Sequence, residues 1–212
     1  MKTNKILILF ITLAINSLVN AQELGQKYLS NPKNWTVFNR EASFNNESIH
    51  LNANSQDGLL WLNGSDFKNG TIEFDIKGKN ILQQSFVGLA FHGLNDSTFD
   101  AVYFRPFNFK NSERNSHSVQ YISMPEYDWQ VLRNAFPGKY ENTIDPVPDP
   151  VDDWFHAKIV LNFPTIKVFV NNSDKASLEV DQISARKNGK IAFWVGNGSE
   201  GWFKNLKISD TK

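Results

Sequence analysis

The chain has no cysteine in its 212 residues. That excludes a disulfide framework, a thiolate nucleophile and any cysteine-held zinc or iron–sulfur centre, so stability must come from a buried core. It also lacks an excess of either charge, since 22 Lys and Arg balance 22 Asp and Glu. No basic run is denser than Lys204 to Lys207, which leaves no electrostatic footprint for a polyanion and argues against nucleic acid as a partner. Long hydrophobic runs are scarce too. The one that stands out, Ile6 to Ile15, follows Lys2 and Lys5 and leads into Val19-Asn20-Ala21, the layout of a secretory signal with cleavage near Ala21. It is half the ~20 residues a bilayer span requires, and no second stretch of that length follows. The expected product is a secreted or periplasmic protein without a membrane span.

Helical periodicity is nearly absent, and what replaces it is short alternation. In Gly70 to Lys77 a period of two sends Ile72, Phe74 and Ile76 to one face and Thr71, Glu73, Asp75 and Lys77 to the other. Similar runs are Trp35 to Phe38, Ser48 to Leu51, Gly58 to Leu62, Phe86 to His92, Ala101 to Arg105, Ser118 to Ile122, Trp154 to Leu161, Ile166 to Val170, Lys190 to Trp194 and Trp202 to Ile208. About ten strands separated by Asn, Gly, Asp and Ser predict an all-β, two-sheet antiparallel jelly-roll β-sandwich. Residues 1–21 form the expected signal, and the remaining ~190 residues, 22–212, fit one such domain. Pro146-Val147-Pro148-Asp149-Pro150 reads as a surface loop, because each proline lacks a donor and restricts its predecessor. Between Met124 and Glu141 alternation fails while Tyr127, Trp129, Leu132, Phe136 and Tyr140 supply apolar surface. Such an insertion is either a functional loop or a short helix covering a sheet edge.

Gly189-Lys190-Ile191-Ala192-Phe193-Trp194-Val195-Gly196, followed by Gly201 to Ile208, resembles the closing hairpin of the laminin-G-like and 3-keto-disaccharide hydrolase-like domains of the concanavalin A-like lectin/glucanase superfamily. The succession Gly70 to Lys77, Ser85 to His92 and Asp100 to Arg105 is similar to their central strands. The resemblance implies a curved jelly roll with a carbohydrate site on its concave sheet and loops. Phe91-His92-Gly93 stands where the hydrolase-like pattern has Asn-Ser-Gly followed by an arginine, so no catalytic residue is carried over. The laminarinase-like spacing Glu-x-Asp-x-x-Glu begins at Glu73 and Asp75 but ends on Gly78, so that mechanism is not expected and the two acids read as a solvated face.

The densest polar and aromatic stretch runs from His92 to Glu141. Sugars need planar donors and acceptors for paired hydroxyls and aromatic faces for the C–H side of a pyranose. Arg105, Asn108, Gln120 and Arg133 supply the first, Trp129 and Tyr103 the second. His117 completes the expected binding set. For proton transfer the candidates are His92, His117 and Glu141, imidazole being the side chain that titrates near neutrality. The plain alternative is that Arg105 or Arg133 pairs with Asp100, Asp128 or Glu141 to pin the insertion. His156 and His50 read as structural and peripheral. Asp145, Asp149, Asp152 and Asp153 offer the oxygen chemistry of a structural Ca²⁺ site, but in no EF-hand spacing and among prolines. No other cofactor is expected. Three functions follow: a carbohydrate-binding β-sandwich, a glycoside hydrolase-like enzyme, and a protein-binding laminin-G-like adhesion module.

Overall fold

The computed structural model describes residues 20–23 and 25–210, so the expected signal lies outside the described residues except for its last two positions. Among the described residues the first strands are β1 (Asn20–Glu23), β2 (Trp35–Phe38), β3 (Ala42–Phe44), β4 (Ile49–Leu51), β5 (Gly58–Leu62), β6 (Gly70–Lys77), β7 (Val87–Asn95) and β8 (Thr98–Phe104). They are followed by β9 (Val119–Met124), β10 (Glu141–Asn142), β11 (Phe155–Asn162), β12 (Thr165–Val170), β13 (Leu178–Asp181), β14 (Lys190–Val195) and β15 (Gly201–Asp210). Two short α-helices, α1 (Gln26–Leu29) and α2 (Trp129–Ala135), and three 3₁₀ turns, Pro32–Asn34, Pro106–Asn108 and Asn115–His117, complete the regular structure of the described residues. None is long and apolar enough to cross a membrane.

The strands form two antiparallel sheets. The first runs β13-β12-β11-β6-β15-β4-β3, with β1 also paired to β15, and the second runs β10-β9-β8-β7-β14-β5-β2. This is the expected jelly-roll sandwich. Between the sheets the Phe193 ring stacks on Phe203 at 4.4 Å between centroids, with Trp35 at 5.4 Å and Phe74 at 6.0 Å. The Pro146 to Pro150 segment carries no strand.

The two sheets differ in how their outer faces meet solvent. Along β6, β11 and β12 burial alternates residue by residue, which is what a sheet with one face on the core and one wet requires. Along β7, β8, β9 and β14 nearly every residue is buried, because α2 and the loops around it cover the outer face. Loss of alternation in the second sheet therefore marks a covered surface.

On the wet face of the first sheet Glu73 and Asp75 do more than face solvent. His156 sits between them, with Nδ1 2.9 Å from Asp75 Oδ1 and Nε2 3.2 Å from Glu73 Oε2, and Asn205 donates to Asp75 Oδ2 at 2.6 Å. The Asp75 hydrogen bond raises the His156 pKa, against the opposing effect of burial and with help from Glu73. Burial pushes Asp75 up, but hydrogen bonds from His156 and Asn205 outweigh it and leave the carboxyl below its ordinary value. A raised histidine stabilises the fold fully below its unfolded pKa of about 6.5, and that contribution is lost as pH rises through the folded value. The Asp75 contribution is lost at the other end, as pH falls below about 4. Urea midpoints of wild type and His156→Gln are expected to differ more at pH 5.5 than at pH 8.5. An unchanged gap would show the triad to be uncoupled from folding.

Candidate functional site

Paired residues of an antiparallel sheet share a face. Register therefore places Trp194, Gly88, Tyr103, Gln120 and Glu141 in one row across β14, β7, β8, β9 and β10 on the covered face of the second sheet. Gly88 is what lets this row close up. A Cβ there would lie 2.2 Å from the Val102 carbonyl oxygen and 2.5 Å from Tyr103 Cα; without it the Tyr103 ring tilts against Trp194 at 4.9 Å.

Arg105 stands where β8 ends against Pro106. Its Nη2 donates to the Tyr103 hydroxyl at 2.6 Å and to Gln120 Oε1, and its Nη1 donates to the His117 carbonyl at 2.8 Å. The guanidinium also lies 4.8 Å over the Tyr103 ring. It is only 4% exposed, and burial lowers its pKa despite the nearby Glu141. Burial likewise pushes the Tyr103 hydroxyl up to about 12.

Glu141 gathers the rest. Arg133 grips it with Nε at 2.9 Å from Oε1 and Nη2 at 2.6 Å from Oε2, the bidentate geometry in which arginine and carboxylate bind best. Arg105 Nη1 is 3.8 Å away. His117 Nδ1 lies 2.8 Å from Oε2, but the enclosed nitrogen lacks hydrogen-bond alignment, so this contact is electrostatic. Burial pushes the Glu141 carboxyl up, yet Arg133 and then the charges of His117 and Arg105 outweigh it and hold the group ionised, below its ordinary value.

Helix α2 roofs this arrangement. Asp128 caps it, accepting from the Gln130 and Val131 amides at 2.9 and 2.8 Å. Trp129 and Arg133, four residues apart, share a side, and the guanidinium lies 5.1 Å over the indole. The insertion thus contains the short helix that the sequence offered as one alternative, and that helix also walls a cavity. Arg105, Asn108, Arg114, His117, Trp129 and Arg133 line a cavity of about 400 Å³ together with Phe86 and Phe107. An adjoining hollow of about 230 Å³ shares Phe86, Trp129 and Asn197 and adds Asp57, Tyr103, Asp128 and Trp194. Burial raises the Asp57 carboxyl, with Trp194 and Arg40 opposing.

Of the residues expected to bind, Arg105, Asn108, His117, Trp129 and Arg133 line the larger cavity and Tyr103 the smaller. Gln120 and Glu141 line neither; they sit beneath and behind, fixing the arginines. The proposed pairing of Arg133 with Glu141 and the proposed cavity are therefore one and the same structure. His92 is a correction. Alternation carries it toward the covered face, but β7 is irregular between Phe91 and Asn95 and His92 has φ +48°. The bulge turns its ring away, and Nε2 lies 2.9 Å from the Lys68 carbonyl oxygen. Sequence reasoning missed Arg114, Phe86, Asn197 and Asp57 as cavity residues. Arg114 lay inside the stretch singled out; the others come from distant segments and gave no local signal. In the acidic loop Asp149 pairs with Lys110 at 2.6 Å. Among the described residues no three carboxylates or histidines are grouped to hold a metal ion.

The two-sheet jelly roll has a concanavalin A-like, galectin-like fold. The carbohydrate-binding module CBM66 from Bacillus subtilis is similar over 82% of this chain and 95% of its own, at 15% identity and a TM-score of 0.61. A Bacillus subtilis protein of unknown function with a galectin-like fold matches 91% of this chain and 94% of its own, at 16% identity and a TM-score of 0.60. The lumenal domain of VIP36, solved with Ca²⁺ and Man3GlcNAc, matches 90% of this chain and 88% of its own at 13% identity and a TM-score of 0.60. At such identities the likeness shows the fold. Curated proteins give no sequence match. The model of the 3-keto-alpha-glucoside-1,2-lyase-like domain matches residues 16–209, and the chain belongs to that family.

Proposed function

We propose that the groove on the covered face of the second sheet binds carbohydrate. The observation that carries this is the convergence of an exposed indole and fixed planar polar groups on one cavity. Trp129 is 45% exposed, although its neighbours in the wall are mostly tied down. A large aromatic left uncovered beside Arg133, Asn108 and His117 matches the two sides of a pyranose, its C–H face and its hydroxyl edge. The size of the cavity falls in the range of small-ligand sites, roughly 300–1,000 Å³. The fold neighbours support this reading by their own descriptions, one as a carbohydrate-binding module and one as a mannose-oligosaccharide complex. The same reading places the protein outside the cytoplasm, by virtue of the signal-like residues 1–21.

Trp129→Ala is expected to weaken binding of a recognised glycan at least about tenfold, the loss of one aromatic platform. Because the side chain is largely exposed, the thermal midpoint should hardly move. Calorimetric titration of both proteins checks it, and equal affinities would remove the groove from the proposal.

A second reading follows from His117. Its Nδ1 lies 2.8 Å from Glu141 Oε2 in an electrostatic contact while Nε2 has no partner among the described residues, and a third of the side chain is exposed. A carboxylate beside one ring nitrogen and an open second nitrogen are what a general base needs once substrate is bound. In a 1,2-lyase reaction on a 3-keto-glucoside, a base takes the C2 proton made acidic by the neighbouring ketone. The C1=C2 double bond then forms as the C1–O bond breaks. Here His117 takes that proton, the arginines hold the ketone oxygen, and the leaving oxygen is protonated from solvent. His117→Gln, with its fold checked by circular dichroism, should abolish product formation at saturating substrate; retained turnover would exclude the assignment.

A further inference from the structure

The charges around the larger cavity do not balance. Arg105, Arg114 and Arg133 all line it, yet among the described residues the only carboxylate within 4 Å of any of them is Glu141. Arg133 takes both of its oxygens, and Arg105 reaches it only at 3.8 Å. Arg114 has no carboxylate at all: its Nε donates to the neutral amide oxygen Asn108 Oδ1 at 3.3 Å, and its two terminal nitrogens have no protein partner among the described residues. Three guanidiniums against one carboxylate leave two positive charges facing a partly enclosed space, and His117 beside them adds none of the missing negative charge. A neutral sugar would not compensate them. Asp57 and Asp128 line the adjoining hollow instead. The groove is therefore polarised, cationic at the Arg114 end and acidic and aromatic at the Trp194 end.

We propose that the ligand brings the missing charge, and that it is an acidic sugar whose carboxylate is taken by Arg114 beside Arg105. A planar two-oxygen anion matches the planar guanidinium fork, whereas a hydroxyl uses only one of its donors. The polarity also sets direction. The carboxylate lies toward Arg114, away from Asp57 and Asp128, and the uncharged part of the ligand extends across Phe86 and Trp129 toward the adjoining hollow. This rests on the carbohydrate reading above and narrows it to uronic acids and their glycosides.

The test is calorimetric titration of the purified protein with matched methyl glycosides of gluco, galacto and manno configuration, each as the uronate, the neutral hexoside and the 6-sulfate. At low ionic strength at least one uronate is expected to bind about tenfold or more tighter than its neutral partner, the worth of one charge-assisted contact. Added salt should narrow the gap. Arg114→Gln, with its fold checked by circular dichroism, should bring the two within twofold. Neutral sugars binding as well as uronates would overturn the proposal while leaving the carbohydrate reading intact. A preference for the sulfate ester, or one that survives Arg114→Gln, would overturn the carboxylate or the arginine assignment. No binding by any member would remove the carbohydrate reading together with it.

Discussion

Replacing Glu141 by alanine is expected to destabilise the protein by about 3 kcal/mol and to abolish ligand binding. The side chain is 3% exposed, and it is the only anion within 4 Å of two guanidiniums and an imidazole among the described residues. Removing one partner of such a set leaves the others as uncompensated charges in a place water reaches poorly, which costs more than the pair contributed. Arg133 would lose both its hydrogen bonds and swing from the cavity wall, and Arg105 would keep only neutral acceptors. Binding then fails because the wall is displaced, since Glu141 does not itself line the cavity. Urea unfolding at neutral pH measures the stability effect, and a change below about 1 kcal/mol would mean the charges are solvated after all. Because the folded-state carboxyl titrates below its ordinary value, its contribution is complete above the unfolded pKa and disappears as pH falls through the folded one. The wild-type and variant curves should therefore converge in acid.

Phe193→Ala should cost about 4 kcal/mol, or roughly 10 °C in Tm. Phe193 is 1% exposed and its ring contacts Trp35, Phe74 and Phe203, so it bridges both sheets at the centre of the sandwich. Nothing nearby is flexible enough to refill a phenyl-sized hole between two rigid sheets. Phe38, 37% exposed on edge strand β2, provides the contrast; its alanine variant should lose less than about 1 kcal/mol. Equal losses at the two positions would contradict a core centred between the sheets.

The architecture was legible because burial and alternation are the same fact seen twice. In β6, Ile72, Phe74 and Ile76 had only one face on which to be buried, and they are buried there. The strands that escaped notice are short. Residues Asn20–Glu23, Ala42–Phe44, Glu141–Asn142 and Leu178–Asp181 offer two to four positions, too few for a period of two to stand out. The site was partly legible for a topological reason. β8, β9, α2 and β10 follow one another in the chain and lie side by side, so Tyr103, Arg105, His117, Gln120, Arg133 and Glu141 cluster in sequence as well as in space. Phe86, just before β7, and Asn197, just after β14, meet at one end of this antiparallel pair, and no local pattern announces such a meeting. His92 misled for a different reason: a bulge and a positive φ break the alternation that placed it. Glu73 and Asp75 were assigned to the right face, but their histidine partner comes from a strand some 80 residues away.

The central claim is that sugar enters on the covered face of the second sheet and nowhere else. Nuclear magnetic resonance of ¹⁵N-labelled protein, following indole and guanidinium N–H signals as a recognised glycan is added to millimolar concentration, tests it most directly. The signals of Trp129, Arg105, Arg114 and Arg133 are expected to shift together, while Trp154 and Trp202 on the opposite sheet stay still. Shifts confined to Trp154 and Trp202, or spectra unmoved by every sugar tried, would contradict it.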